Sequence, residues 1–213
     1  MSVKRAILTL RDIVSGNVKR QVRLIMEKRL DNNGYIDFPF PATRNADGSV
    51  NPCGIDLTLE TERLDEIAVI RHSPNLQRLL EEVNLQEGLF MTLACDWQQQ
   101  ENAVCGFIDI AFRPELLHCS HKEALQLEAA FYDYLKEQEQ QHALAADTLV
   151  NFARCVLDWG WSPLQQRQRH YEKITIQYYC QQAEDAEWCF DHLRHFLVSW
   201  YPNTRSHPRH PVR

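Results

Sequence analysis

Apolar positions recur with two different periods along this chain, and the switches between them mark out its elements. The clearest signal is a pair of apolar runs, Leu89 to Trp97 and Ala103 to Phe112, separated by the polar stretch Gln98 to Asn102. Two such runs joined by a few polar residues predict a β-hairpin over about 89–112. A turn centred on Gln100 sets Cys95 opposite Cys105 and Leu93 opposite Phe107. Leu89, Met91, Leu93 and Phe107 then share one face and Phe90, Ile108 and Ile110 the other. A ribbon apolar on both faces belongs in the middle of a covered sheet.

Helical spacing predicts six helices around it. Ser73-Pro74 pairs an N-cap with proline at the first helical position and opens a helix to about Val83. Ser120 with Glu123 forms a capping box before the apolar stripe Ala124, Leu127, Phe131, Tyr134 and Leu135. A further helix is expected from Asp147 to Trp159, and a short one from Ser162-Pro163 to Tyr171. The last, about Glu184 to Trp200, stacks Cys189, Leu193, Phe196, Leu197 and Trp200 on one side and places acids first and Arg194 and His195 late, as the helix dipole favours. Near the N-terminus, a helix after Ser15-Gly16-Asn17 and running to about Leu30 puts Val18, Val22, Ile25 and Met26 on one face and Lys19, Arg20 and Arg23 on the other. Further extended segments are expected at Ala6 to Leu10, Tyr35 to Phe40, Ile55 to Leu59, Glu66 to Ile70 and Ile174 to Cys180. Pro39 to Gly54 is turn-rich loop.

These elements predict an α+β fold: a mixed or antiparallel sheet with a central hairpin covered by helices, and a helix-rich C-terminal half. Residues 1–201 form one domain, with 113–120 as the place where two subdomains would meet, and 202–213, rich in proline and arginine, read as a disordered basic tail. No repeat of 20–50 residues is visible.

Charge adds a polarity that periodicity does not show. Residues 1–30 carry eight Lys and Arg against two acids, whereas residues 31–201 carry twelve against twenty-seven, within a net charge of −6. Seven cysteines, with no pair two residues apart, fit free thiols in a reducing compartment rather than a disulfide framework. Together with the lack of any long apolar run, this gives a cytoplasmic expectation with no membrane association.

Candidate chemistry comes from three sources. Gly34-Tyr-Ile-Asp37, Gly54-Ile-Asp56 and Gly106-Phe-Ile-Asp109 each place an aspartate in an apolar string, where a carboxylate needs a partner such as an arginine (Arg44 or Arg113), a solvated strand face, or a metal. If the three strands are neighbours, Asp37, Asp56 and Asp109 converge on Mg²⁺ for phosphodiester hydrolysis. Second, Lys19, Arg20, Arg23 and Lys28, joined by Arg167 and Arg169, supply cations for an anionic partner. Third, the aromatics crowd into the C-terminal half, including Trp159, Trp161, Trp188 and Trp200, and any surplus at the surface favours a protein interface or self-association. Cys189, His192 and His195, spaced by three, drift around their helix too fast for all to ligate one ion. No nucleotide loop, zinc-ligand spacing or nucleophile signature is present. The expected function is therefore a non-catalytic binding or adaptor protein, with no cofactor, that engages a protein or nucleic-acid partner. The alternative is a metal-dependent nuclease built on the strand-borne aspartates, with Mg²⁺ as its ion.

Overall fold

The alternation at 89–112 does build a hairpin. In the computed structural model, which describes residues 26–28, 38–44, 48, 50–85, 87–114, 121–166 and 169–205, β4 (Phe90–Gln100) and β5 (Ala103–Phe112) pair antiparallel. A second hairpin, β6 (Leu157–Gln166) and β7 (Arg169–Cys180), docks with β7 against β5, also antiparallel. The short β1 (Glu27–Lys28) runs parallel to β6, giving a five-stranded mixed sheet in the order β1-β6-β7-β5-β4. Two further short strands, β2 (Thr43–Arg44) and β3 (Val50–Asn51), pair in a separate ribbon. Helices α1 (Pro74–Val83), α2 (His121–Leu125), α3 (Leu127–Gln141), α4 (Thr148–Val156) and α5 (Ala183–His195) complete an α+β fold. The chain continues from α5 through one π-helical turn, Phe196–Trp200, into α6 (Tyr201–Thr204). No helix of the described residues is long and apolar enough to cross a membrane.

Side-chain alternation explains why both faces of the hairpin are apolar. Ile108 and Ile110 of β5, with Ile174 and Ile176 of β7, point into the main core beneath the helices, where Phe131 and Phe190 meet them. Met91, Leu93 and Ala111 point the other way and, with Leu164, lie under Phe38 in a smaller cluster flanked by Phe40. The edge strand β4 is blunted by side chains: the Thr92 N–H donates to Asn84 Oδ1 at 3.1 Å and the Trp97 N–H to Asp96 Oδ1 at 2.9 Å. These bonds occupy groups that would otherwise template another strand. At the root of the hairpin, buried Arg113 donates to Phe90 O at 2.8 Å, to Val83 O at 3.2 Å and to Leu85 O, tying the end of α1 to β4.

Several expectations are corrected. The hairpin turn is Glu101-Asn102 rather than a loop centred on Gln100, so Cys95 faces Ile108 and Cys105 faces Gln98. Residues 163–166 and 169–171, expected in a short helix, are strand, because Ser162-Pro163 sits inside a ribbon whose other strand is β-branched and aromatic, and 167–168 lie outside the described residues. For the same reason the helix expected to reach Trp159 stops at Val156, and Trp159 faces Ile176 across the ribbon. Glu66 to Ile70 falls in two 3₁₀ segments, Thr61–Glu66 and Ala68–His72, and Ile55 to Leu59 forms no strand. Of the basic helix expected to run to about Leu30, Met26 lies just before β1 and Glu27 and Lys28 lie in it, and the remainder lies outside the described residues, as does the segment Ala6 to Leu10. Residues 202–204, assigned to a tail, are helical, and 206–213 lie outside the described residues.

Candidate functional site

Of the three strand-borne aspartates, Asp37 lies outside the described residues, and the other two already have partners. Asp56 is buried in the segment before the first 3₁₀ turn, where Oδ1 accepts from the Thr58 N–H at 3.1 Å and from Thr58 Oγ1 at 2.5 Å. Asp109, 2% exposed, faces Thr175 across β5 and β7 and accepts a 2.5 Å bond from its hydroxyl. Its other oxygen lies 3.1 Å from the Lys173 ammonium, itself 3% exposed. A buried carboxylate that is neutralised by an ammonium and hydrogen-bonded besides meets the cost of its burial without a metal. Among the described residues, no group of three or more His, Cys, Asp or Glu side chains is placed to hold a metal ion. Sequence reading offered Arg44 or Arg113 as the partner and did not identify Lys173 in that role, although its position two residues before Thr175 on a β-branched strand puts both side chains on the face that Asp109 occupies.

The cations are only partly in view. Lys19, Arg20, Arg23 and Arg167 lie outside the described residues. Exposed Lys28 holds its ammonium 5.4 Å from the centre of the Trp161 ring, a cation–π distance. Arg169 pairs with Gln166 at the hairpin end, whereas Lys28 pairs with Trp161. Five positions along β6 separate those two registers by about 17 Å, so the structure does not bring these two backbone positions together.

The described thiols whose acidity is perturbed move away from reactivity. Burial, with Asp96 and Asp109 nearby, pushes Cys95 up to about 12. A side-chain hydrogen bond with Cys180 and then burial hold the Cys189 thiol far above its ordinary range. Nucleophilic thiols need the opposite shift.

What the structure does assemble is a belt of rings across the helical layer. Phe152 of α4 meets Trp188 of α5 edge-on at 4.7 Å between centroids; Trp188 lies 4.3 Å from His192, His192 5.8 Å from Tyr134 of α3, and Tyr134 5.9 Å from Trp200. Tyr134 is buried, while Phe152, Trp188, His192 and Trp200 remain half-buried at the surface. Burial outweighs the neighbouring Asp191 and brings His192 down to about 4, and burial raises Tyr134 up to about 12. Both groups are therefore neutral near pH 7, with the Tyr134 hydroxyl 3.0 Å from His192 Nδ1. The charges sit on the rim instead. The Trp200 indole N–H donates to Glu137 at 2.6 Å, Asp191 adjoins His192, and Glu184 and Asp185 precede Trp188 by one helical turn.

Helical periodicity identified Tyr134 as buried and placed Trp200 on the packed side of its helix. It did not place Trp188 and His192, named among the aromatics and the spaced trio, against each other; they lie one position before Cys189 and Leu193 on the buried stripe and so occupy its border. His195, the third member of the spaced trio, is exposed, and Cys189 is fully buried. No protein family, curated protein or solved structure matches the chain.

Proposed function

We propose that the chain is a non-catalytic binding protein that engages a protein partner through the aromatic belt on its helical face. The observation that carries this reading is the run of four ring contacts from Phe152 to Trp200, with four of the five rings half-buried at the surface. Rings packed against one another are held rigid, so a partner covers them at small cost in side-chain entropy, which is why aromatic residues concentrate at protein interfaces. The potential acid–base groups favour binding over catalysis, because Asp109 is paired with Lys173 and His192 is held neutral against Tyr134.

The test is recovery of a partner from native lysate with the full chain, with and without nuclease, compared with Trp188→Ser and Trp200→Ser variants whose thermal unfolding has been verified. The expected result is a partner that survives nuclease and is lost with either variant. Retention that nuclease abolishes and both variants preserve would move the binding to the cations Lys19, Arg20, Arg23 and Lys28 and sink the belt as the contact face.

A further inference from the structure

We infer that the segment seated on the belt is cationic and presents arginine: the occupant is a basic stretch of a partner protein whose guanidinium groups stack on Trp188 and Trp200 while their charge is met by the rim carboxylates. This rests on the reading of the belt as a docking face and goes beyond it by fixing the partner's chemistry.

Two sets of observations point to it. The first is charge complementarity. Glu137 is tied to the Trp200 indole at 2.6 Å, and Glu184 with Asp185 lies one turn from Trp188. The cation contributed by α5 itself, Arg194, is already engaged at 2.9 Å by both Glu82 and Asp191. The acidity is not confined to the rim, since residues 31–201 carry twenty-seven acids against twelve Lys and Arg. The second is the shape of the surface. Half-buried rings next to carboxylates offer a planar cation both a stacking face and a hydrogen-bonding acceptor. A neighbouring pair already shows the geometry, because the Arg154 guanidinium lies 4.9 Å from the centre of the Tyr132 ring. A guanidinium uses such a site better than an ammonium, being flat and weakly hydrated.

The experiment titrates a labelled nona-arginine peptide into the full chain and follows its anisotropy, with nona-lysine and nona-glutamate as comparison peptides. The expected result is saturable binding of nona-arginine, severalfold tighter than nona-lysine, with none for nona-glutamate. Trp188→Leu should weaken it about fivefold or more, and so should Glu137→Gln combined with Glu184→Gln, which removes charge while leaving an acceptor for Trp200. Glu101→Gln at the hairpin tip should leave it unchanged. Equal affinity in all variants would mean diffuse attraction to an acidic body and would overturn the inference, as would failure of nona-arginine to bind. If nona-arginine fails while a lysate partner still depends on Trp188, only the cationic occupant is wrong. If the lysate partner is indifferent to Trp188, the docking face itself is wrong.

Discussion

Asp109 and Thr175 occupy the same position in two equivalent hairpins, and they pair with each other. Ala94↔Asp109 in the first hairpin corresponds to Gly160↔Thr175 in the second, since 94 to 160 and 109 to 175 are both steps of 66 residues, as are the last paired positions Gln100↔Ala103 and Gln166↔Arg169. Because equivalent positions of β5 and β7 face each other there, a local twofold axis passes between Asp109 and Thr175. The symmetry is broken in its polar groups: position 107 is Phe and its equivalent is Lys173, whose ammonium crosses to Asp109 at 3.1 Å.

That pair should fix the register of the central strands at a measurable cost when halved. Lys173→Met leaves the buried Asp109 carboxylate without its ammonium, and the expected loss is about 3–5 kcal/mol in urea unfolding. Asp109→Leu with Lys173→Met removes both charges, and most of that loss should be recovered. A single variant as stable as the parent would show that the pair contributes nothing.

Gly106 is required by close approach rather than by backbone conformation. A Cβ at this position would run into the Asp96 carbonyl and the Tyr178 hydroxyl, because the tyrosine ring reaches over the glycine to donate to Asp96 O at 2.7 Å. Tyr178→Phe should cost about 1 kcal/mol for the lost hydrogen bond. Gly106→Ala should cost more, about 2 kcal/mol, since the strand backbone must shift. The two denaturation midpoints decide it, and Gly106→Ala as the milder change would contradict the packing argument.

How much of this could be read from the chain depends on whether the signal was local. The first hairpin, α1 with its Ser73 cap, and the buried stripes of α3 and α5 follow from period and capping alone. The second hairpin was half hidden because Ser162-Pro163 reads as a helix start, and only pairing with β7 makes it strand. The equivalence of the two hairpins was invisible for a related reason. Its offset of 66 residues, the step from 94 to 160, exceeds the usual repeat lengths, and little beyond Ile108/Ile110 against Ile174/Ile176 repeats in sequence. The partner of Asp109 and the ring contacts of the belt depend on which strands and helices become neighbours, and no local pattern encodes that.

The start of α4 has no cap of its own. Asp147 at its N-cap is in the left-handed region at φ 60° and makes no side-chain cap. Buried Glu139 of α3 caps it instead, accepting from the N–H groups of Asp147 at 2.9 Å, Leu149 at 2.7 Å and Val150 at 3.2 Å. Glu139→Ala should cost about 2–3 kcal/mol, as three N–H donors, that of Val150 buried and the other two partly so, lose their acceptor. Glu139→Gln keeps one acceptor oxygen and should lose about half as much. Calorimetric melting of both variants gives the ranking, and equal losses would rule out capping as the reason for the burial.

His192 should make the fold sensitive to mild acid. Its folded pKa, brought down to about 4 by burial against the opposing pull of Asp191, lies below its unfolded value of 6.5, so between these limits the unfolded chain binds the proton more readily. Stability contributed by the neutral ring is then fully present above pH 6.5 and is lost as pH falls towards 4, with a slope approaching about 1.4 kcal/mol per pH unit. The groups around the ring are Tyr134, Trp188, Asp191, His195 and His142. Asp191 is held below its ordinary carboxylate value, burial being outweighed by its hydrogen bond to Arg194 and the nearby cations. Urea unfolding from pH 7.5 to 4.5 should show a decline in the parent that is shallower in His192→Gln, and superimposable declines would place the acid sensitivity elsewhere.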